Sequence, residues 1–350
     1  MTARLPSPPP AVGRLAGLRP VLAVVAAALV VGACAVPATP LPSLAPSPTP
    51  PANPYDAAGV SAGSGSGLKI GYVSFGDQVP FVKAVSDGIA EQVATAGATL
   101  VPCDAGLEAG TVRKCIADLV AAGVQGLILF QLVVDPADAC KAVPSTVPVI
   151  GVELDYPCQA AYVGADDFAG GETAGAAVGA YAKEQWSCTY DALVTLGSSS
   201  APDRAQKRLE GFRRGFATSC EIHNEQHQQT ADREDNAKTA MEGVLGSLPA
   251  ATRLVVTGIN DDGILGALAA AKAAGRETSV FVTGQGGEVR VRDLVRADGQ
   301  YLGDAAYRPE RYGRTIVPAL LDAIAGKTLA GPFMLAPVWL DATTIGTIYP

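Results

Sequence analysis

From Leu68 onward the sequence alternates short runs of β-branched residues with longer alanine-rich segments, and this alternation constrains the fold more than any other feature. Leu68 to Ser74 has the apolar character of a buried strand, and Val82 to Ala96 has helical period. The alternation repeats in a second unit from Ala161 to Thr283. Strands that alternate with helices form parallel sheets with helices on both faces. The sequence therefore predicts an α/β fold with two lobes.

The predicted strands also indicate where a site would lie. In an open parallel sheet, ligands bind at the carboxyl ends of the strands, where loops and helix N-termini converge. The segments that follow the predicted strands are 74–81, 130–135, 153–156, 166–168, 198–204, 260–262 and 285–288.

The first 34 residues have the layout of a secretory signal. They contain three arginines and no acidic residue, followed by the apolar run Val21 to Val31 and the small residues before Cys34. The run is shorter than the about 20 apolar residues that a membrane-spanning helix needs. Val31-Gly32-Ala33-Cys34 resembles a bacterial lipobox, which predicts lipid on Cys34 and an extracytoplasmic protein anchored in the cell envelope. The alternative is an ordinary cleaved signal with an incidental cysteine.

Residues 35–67 are predicted to be a flexible tether. They hold eight prolines and a single charge, at Asp56. Such a stretch has too few large apolar side chains to offset the entropy lost on ordering.

The net charge restricts the partners of the remaining chain. The whole sequence carries −8, and leaving out the three arginines of the signal and Asp56 leaves −10 on residues 68–350. A net-acidic body binds nucleic acid poorly. We therefore expect a monomer that binds a small solute locally, inside a cleft.

Six cysteines follow Cys34, and an even number in an exported chain predicts disulfides. Sequence alone allows fifteen pairings of six cysteines. The predicted strand order favours pairs that join a strand-end loop to the neighbouring helix or strand edge, namely Cys103–Cys115, Cys140–Cys158 and Cys188–Cys220. The chain has no Cys-x-x-Cys motif, so neither a metal nor another cofactor is predicted.

Seven stretches together resemble one family, the type 1 periplasmic binding proteins, and in particular their ribose-like and galactose-like sugar-binding branch. They occur in the family's order and read KIGYVSFGDQVPFVKAVSDGI, LVAAGVQGLILF, VPVIGVELD, YVGADDFAGGETAG, RLEGFRRGF, INDDGILGALAAAKAAG and RPERYG. The resemblance implies two Rossmann-like lobes that close around a small polar solute, with a monosaccharide as the first candidate. It also implies delivery to the permease of an ABC importer or, alternatively, presentation to a sensor kinase or chemoreceptor.

The resemblance implies a three-strand hinge as well. The chain is expected to cross between lobes near 163–166, near 283–285 and near 303–307. The N-terminal lobe would comprise 68–165 and 307–337, and the C-terminal lobe 166–306 and 338–350.

Several solute contacts are implied in the N-terminal lobe. Phe81 matches an aromatic residue that packs on the sugar, Gln78 lies near a polar contact, and Ser74 ends the first strand. Where the family has an Asp-Arg pair this chain has Glu153 and Leu154, with Asp155 next, so the arginine is missing.

The C-terminal lobe supplies the other implied contacts. Asp167 stands at a binding Asn, and Asn260 matches another. Gln285 replaces a binding Asp, Tyr307 replaces a binding Gln, and Arg204 lies within a residue or two of the family's Arg. With Arg204 as the only expected cation the pocket is predicted to be acidic, so a sugar, a polyol, a sugar amine or another cationic metabolite all stay open.

Structural roles compete with these functional ones. Asp262 is expected to cap a helix and Asp166 to hold the hinge, and Phe75 and Phe168 fit core or pocket equally well. Glu153 with Asp167 could act as an acid and base pair, as in glycoside cleavage. The chain lacks G-x-S-x-G and phosphate-loop motifs, and His223 and His227 fall in a predicted strand, so an enzyme is not the favoured interpretation.

Overall fold

Two six-stranded sheets organise the protein. The computed structural model describes residues 53–55, 59–132, 134–297 and 299–350. The predicted signal, Cys34 and residues 35–52 of the predicted tether lie outside the described residues. No helix within the described ranges is long and apolar enough to cross a membrane.

The strands are, in chain order, β1 (Lys69–Ser74), β2 (Thr99–Asp104), β3 (Gly126–Phe130), β4 (Val149–Val152), β5 (Ala161–Ala165), β6 (Ala192–Leu196), β7 (Glu225–Gln228), β8 (Leu254–Gly258), β9 (Val280–Gly286), β10 (Tyr301–Ala306), β11 (Phe333–Leu335) and β12 (Val338–Leu340). The helices are α1 (Pro80–Thr95), α2 (Ala109–Ala121), α3 (Pro136–Cys140), α4 (Asp167–Trp186), α5 (Pro202–Ala217), α6 (Glu234–Ser247), α7 (Asp261–Ala273), α8 (Val289–Arg296), α9 (Gly313–Ile324) and α10 (Ile345–Ile348).

Each sheet defines one lobe. The sheet of the N-terminal lobe has the order β11-β5-β4-β3-β1-β2 and is parallel throughout. The sheet of the C-terminal lobe has the order β12-β10-β9-β8-β6-β7, and only β12 in it runs antiparallel. Strands β3 and β8 are buried along their whole length, as expected for apolar runs covered on both faces. The predicted two-lobed α/β fold is confirmed.

Three segments of the chain pass between the sheets. They follow β5, follow β10, and join β11 to β12. The expected crossing near 283–285 is wrong, because β9 stays in its sheet and pairs with β8 on one side and β10 on the other.

The last part of the predicted tether lies on the N-terminal lobe. The Gly65 amide donates to Ala96 O at 2.7 Å. The Tyr55 hydroxyl donates to Asp322 at 3.0 Å, and its ring meets Phe333 edge-on at 5.1 Å. The expectation of a slack tether up to residue 67 therefore needs correction for residues 53–55 and 59–67.

All three predicted disulfides are present. Cys103–Cys115, Cys140–Cys158 and Cys188–Cys220 close loops with sequence separations of 12, 18 and 32. The first two lie in the N-terminal lobe and the third in the C-terminal lobe, so no disulfide among the described residues restrains the hinge.

Helices α4 and α5 pack backbone against backbone through glycines. A Cβ atom at Gly171 would lie 1.9 Å from Arg208 O, and one at Gly211 would lie 2.2 Å from Phe168 O. Any larger residue would therefore push the helices apart. This close approach brings the first turns of α5 next to the start of α4.

Candidate functional site

An ion pair joins the two lobes at the carboxyl ends of their sheets. Arg204, in the first turn of α5, donates through Nη1 to Glu153 Oε2 at 2.5 Å, and its other terminal nitrogen donates to the Glu153 carbonyl oxygen. The Glu153 side chain is 2% exposed and that of Arg204 is 19% exposed. The sequence predicted both residues for the site, and the structure brings them into contact.

Glu153 is held firmly by its own lobe. It follows β4 and adopts a left-handed backbone conformation with φ 60°. Its Oε1 accepts from the Ala165 amide at 2.9 Å and from the Tyr312 hydroxyl at 2.5 Å. A buried carboxylate is tolerated when hydrogen bonds and an opposite charge satisfy it. Its position is therefore fixed by three separate elements.

A second ion pair lies behind the first. Arg208 Nε donates to Asp167 Oδ1 at 2.7 Å, and Arg208 Nη1 donates to Ile259 O at 2.5 Å. Arg204 Nε lies 3.9 Å from Asp167 Oδ2, which links the two pairs. Arg208 was not predicted, although it lies four residues after Arg204 and therefore on the same face of a helix.

This second arginine changes the charge of the site. Glu153 and Asp167 face Arg204 and Arg208, so two carboxylates meet two guanidinium groups. The expectation that Arg204 is the only cation in an acidic pocket is wrong. Burial lowers the pKa of Arg208, but the acidic groups around it, Asp167 and Glu153 among them, together raise it by more, and the guanidinium stays charged.

Tyr307 and Gln285 are joined by a hydrogen bond next to the ion pairs. The Tyr307 hydroxyl donates to Gln285 Oε1 at 3.2 Å, and Gln285 Nε2 donates to Gly258 O at 3.4 Å. Arg208 lies over the Tyr307 ring at 4.7 Å from its centroid. Burial raises the pKa of Tyr307, so its hydroxyl remains a donor. These predicted residues therefore join the cluster.

Asn260 caps helix α7, a role that the sequence analysis predicted for Asp262. Asn260 Oδ1 accepts from the Gly263 amide at 3.0 Å and caps α7, while its Nδ2 donates to Asp232 O at 2.8 Å. The predicted cap, Asp262, instead pairs with Arg290. The expected solute contact of Asn260 stays a prediction, and its amide already has two backbone partners.

Three phenylalanines were candidates for the core or the site, and each has a different environment in the structure. Phe81 meets Tyr312 edge-on at 5.7 Å, which connects it to Glu153 through the Tyr312 hydroxyl. Phe75 is 7% exposed and packs on Phe130 in the core. The Phe168 ring is covered by Arg214, whose guanidinium carbon lies 5.6 Å from the ring centroid.

Three further polar residues were predicted for the site, Ser74, Gln78 and Asp155. Ser74 is 6% exposed at the end of β1, and Gln78 Nε2 donates to Phe75 O at 3.3 Å. Asp155 is exposed, and its carboxylate accepts from Gln159 at 2.9 Å. Its expected place in the pocket stays untested. Asp166 caps α4 by accepting from the Ala169 amide at 3.0 Å.

Gln131 was not predicted. It is the first residue after β3, is fully buried, and neither of its side-chain amide atoms has a hydrogen-bond partner within the described residues. A buried polar group without a partner destabilises a fold by about 1–3 kcal/mol, so such a residue requires an explanation. Its position could have suggested a role in the site, because it lies in 130–135, one of the segments that follow the predicted strands.

Residues 70–328 match the sequence pattern of a protein family that is described as the periplasmic binding protein domain. The chain belongs to the periplasmic binding protein family. The family predicted from the seven sequence stretches is thereby confirmed. No curated protein matches the sequence.

Several solved structures resemble this periplasmic binding protein. A solute-binding protein of an ABC transporter from Actinobacillus succinogenes with bound D-allose has a TM-score of 0.71 at 18% identity, covering 80% of this chain and 99% of that chain. A solute-binding protein of an ABC transporter from Mycobacterium smegmatis with bound glycerol has a TM-score of 0.69 at 21% identity, covering 81% of this chain and 97% of that chain. A Caulobacter myo-inositol binding protein has a TM-score of 0.66 at 21% identity, covering 81% of this chain and 96% of that chain. At these identities the likeness concerns the fold.

Family membership favours binding over catalysis. His227 Nδ1 lies 3.0 Å from Thr195 Oγ1, and His223 Nε2 lies 2.9 Å from Tyr190 O, so both imidazoles are occupied within the C-terminal lobe. In the described part of the chain, no group of three or more His, Cys, Asp or Glu side chains could hold a metal ion.

Proposed function

We propose that this periplasmic binding protein captures a neutral, polyhydroxylated solute, a monosaccharide or a polyol, between its lobes and delivers it to an ABC importer. The observation that carries the proposal is the ion pair between Glu153 of the N-terminal lobe and Arg204 of the C-terminal lobe. A group that touches both residues contacts both lobes at once. Its binding therefore favours the closed arrangement.

The charge balance of the site supports a neutral solute. The two carboxylates and two guanidinium groups cancel, so the site offers no uncompensated charge to an amine or an acid. Hydroxyl groups both donate and accept, and they fit a mixture of carboxylate acceptors and guanidinium donors. The sugar amine that the sequence left open is thereby disfavoured.

The structural neighbours agree with this solute class. Those from Actinobacillus succinogenes, Mycobacterium smegmatis and Caulobacter hold D-allose, glycerol and myo-inositol, which are neutral polyhydroxylated molecules. Phe81 beside Tyr312 supplies an apolar surface for the C–H face of such a molecule.

Gln131 is proposed as an additional contact. Its amide carries two donors and an acceptor at the carboxyl end of β3, the edge of the sheet where Glu153 follows β4. A solute hydroxyl at this edge would satisfy the amide.

The location is proposed from the sequence and the disulfides. Three disulfides are typical of an oxidising compartment outside the cytoplasm. Lipid on Cys34 would keep the receptor at the membrane that holds the importer.

A thermal-shift screen tests the solute class. Neutral sugars and polyols form one arm, and sugar amines and sugar acids form the other. A ligand at about 100 times its dissociation constant adds about 2.7 kcal/mol of stability. We expect a neutral compound to give a clear shift that Arg204→Ala abolishes, with Arg213→Ala on the same helix as the matched control. A shift caused only by charged compounds would refute the solute class.

A further inference from the structure

A second buried polar cluster lies in the C-terminal lobe, on the other face of β9 from Gln285. Asp261 begins α7 and is 3% exposed, and Asp304 in β10 is fully buried. The two carboxyl groups face the same glycine of β9, Gly284. A Cβ atom at Gly284 would lie 2.5 Å from Asp304 Oδ2 and 2.6 Å from Asp261 Oδ1, so both carboxyl groups fill the space above this glycine.

The pair accepts from neutral donors, and within the described residues neither carboxyl group forms an ion pair. Asp304 accepts from the Gly286 amide at 3.1 Å and from the Tyr301 hydroxyl at 2.8 Å, and Asp261 Oδ2 accepts from the Glu288 amide at 2.9 Å. Asp261 Oδ1 has no hydrogen-bond donor elsewhere in the described structure. Two carboxylates in contact and out of water cannot both ionise, so they share a proton. That proton supplies the missing donor.

Two arginines of α8 are paired with other carboxylates. Arg290 pairs with Glu288 at 2.5 Å and also with Asp262, and Arg292 pairs with Glu310 at 3.1 Å. Helix α4 packs on Ala305, on the opposite face of β10. The charged and titratable groups that face the pair are Asp262, Glu288, Arg290, Arg292, Tyr301, Glu310 and Tyr349.

The pair is connected to the solute site through the backbone. Gly286, whose amide donates to Asp304, follows Gln285 directly in β9. The Tyr307 amide in turn donates to Gly286 O at 3.0 Å. Any movement of Gly286 would therefore shift two side chains of the site, Gln285 and Tyr307.

We propose that Asp261 and Asp304 form a one-proton acid pair that fastens α7 to β9 and β10 and makes solute affinity depend on pH. Loss of the shared proton places two negative charges in contact, which separates α7 from β10 and displaces Gly286. The effect on affinity rests on the proposed function, whereas the effect on stability does not.

The sign follows from burial. Burial, and then the neighbouring Asp304 and Glu288, raise the pKa of Asp261 well above its usual range, and burial also raises the pKa of Asp304. A raised pKa in the folded state means that the stabilisation is present at acid pH and is lost as pH rises through the folded pKa. An asparagine stays neutral, so replacing either residue removes the repulsion between the two charges and weakens this dependence.

The experiment compares thermal unfolding of the wild type, Asp261→Asn and Asp304→Asn from pH 5 to pH 9, with Asp262→Asn as the control. We expect the unfolding temperature of the wild type to fall by at least about 3 °C relative to Asp304→Asn as pH rises, and Asp262→Asn to follow the wild type. Carbon-13 NMR of the aspartate carboxyl groups of the wild type needs no variant and should show a carboxyl that remains protonated near neutral pH. Aspartates that all titrate near pH 4 would overturn the pair.

Solute affinity is then measured at pH 6 and pH 9 with a sugar or polyol found in the thermal-shift screen. We expect the dissociation constant of the wild type to rise several-fold and that of Asp304→Asn to stay constant. A constant value for the wild type, alongside pH-dependent unfolding, would overturn the coupling. Failure of every neutral compound to bind at either pH would count against the proposed function and leave the acid pair standing.

Discussion

Arg204 of α5 donates to the Glu153 carboxylate at 2.5 Å, although the two residues lie in different lobes and 51 positions apart. The sequence lacks the arginine that the family resemblance implies beside Glu153. In this protein the opposite lobe supplies the cation. The proposed solute contact and the closure of the lobes would therefore depend on the same side chains.

Arg204→Ala should lower solute affinity by at least about tenfold, which corresponds to 1.4 kcal/mol. The change removes a donor and leaves a carboxylate that is 2% exposed without its opposite charge. Isothermal titration checks this. Arg213→Ala is the matched control, because Arg213 lies on the same helix and pairs with Glu225 at 2.6 Å. Equal losses in both variants would contradict a specific role for Arg204.

Gln131→Met should change stability and affinity in opposite directions. The substitution removes a buried amide without partners, so we expect the free energy of unfolding to rise by up to about 1 kcal/mol while solute binding weakens by a similar amount. Denaturant unfolding and isothermal titration measure the two quantities. Thr257→Val is the control, since Thr257 is a buried hydroxyl without a partner inside β8, and it should leave affinity unchanged. Unchanged binding by Gln131→Met would exclude Gln131 from the site.

Gly171→Ala should reduce both stability and affinity, because its methyl group would lie 1.9 Å from the carbonyl oxygen of Arg208. Overpacking typically destabilises by about 1–3 kcal/mol. Gly179→Ala adds the same group at the far end of the helix pair, 2.8 Å from Phe216 O, and should affect affinity much less. Urea unfolding and solute titration of both variants test whether the spacing of α4 and α5 positions the arginines.

Replacing Cys188 and Cys220 together by alanine should lower the free energy of unfolding by about 3–4 kcal/mol, the loop-closure contribution for a separation of 32 residues. Solute affinity should remain, because this disulfide lies away from the strand ends that form the site. Chemical denaturation with a binding assay measures both. A stable double variant that no longer binds would contradict this separation of roles.

Cys34→Ala should release the protein from the membrane. The prediction follows from the Val31-Gly32-Ala33-Cys34 motif. Detergent-phase partition of expressing cells is the measurement, and Cys34→Ser is a second variant that also lacks the thiol. A variant that still partitions wholly into detergent would show that lipid on Cys34 is not the anchor.

Most strands of the fold could be predicted, because buried parallel strands are continuous apolar runs. The exceptions have local causes. The predicted strand that contained both His223 and His227 is shorter in the structure, because β7 begins at Glu225, after a turn in which Asn224 has φ 47°. Strand β10 was not predicted from its pattern because it carries Gly303 and the buried Asp304, whose carboxyl group accepts from the Tyr301 hydroxyl and the Gly286 amide.

Several residues of the cluster were predicted one by one, but Arg208, Gln131 and the arrangement of the cluster were not. Strand-end positions identified Glu153 and Gln285, since the carboxyl edge of a parallel sheet is visible in the order of elements. Tyr307 was predicted only from the family resemblance. The partner of Glu153 depends on how α5 lies on α4, which glycine contacts determine. Arg208 belongs to a helix face, and its burial follows from the same contacts. Such long-range packing leaves no local pattern in the sequence.

Small-angle X-ray scattering with and without a saturating neutral sugar or polyol measures whether the lobes close on the solute. The radius of gyration of the wild type should fall when the solute binds. The same solute should leave the scattering of Arg204→Ala unchanged at the concentration that saturates the wild type. A wild-type scattering curve that stays the same while titration shows full occupancy would contradict capture between the lobes.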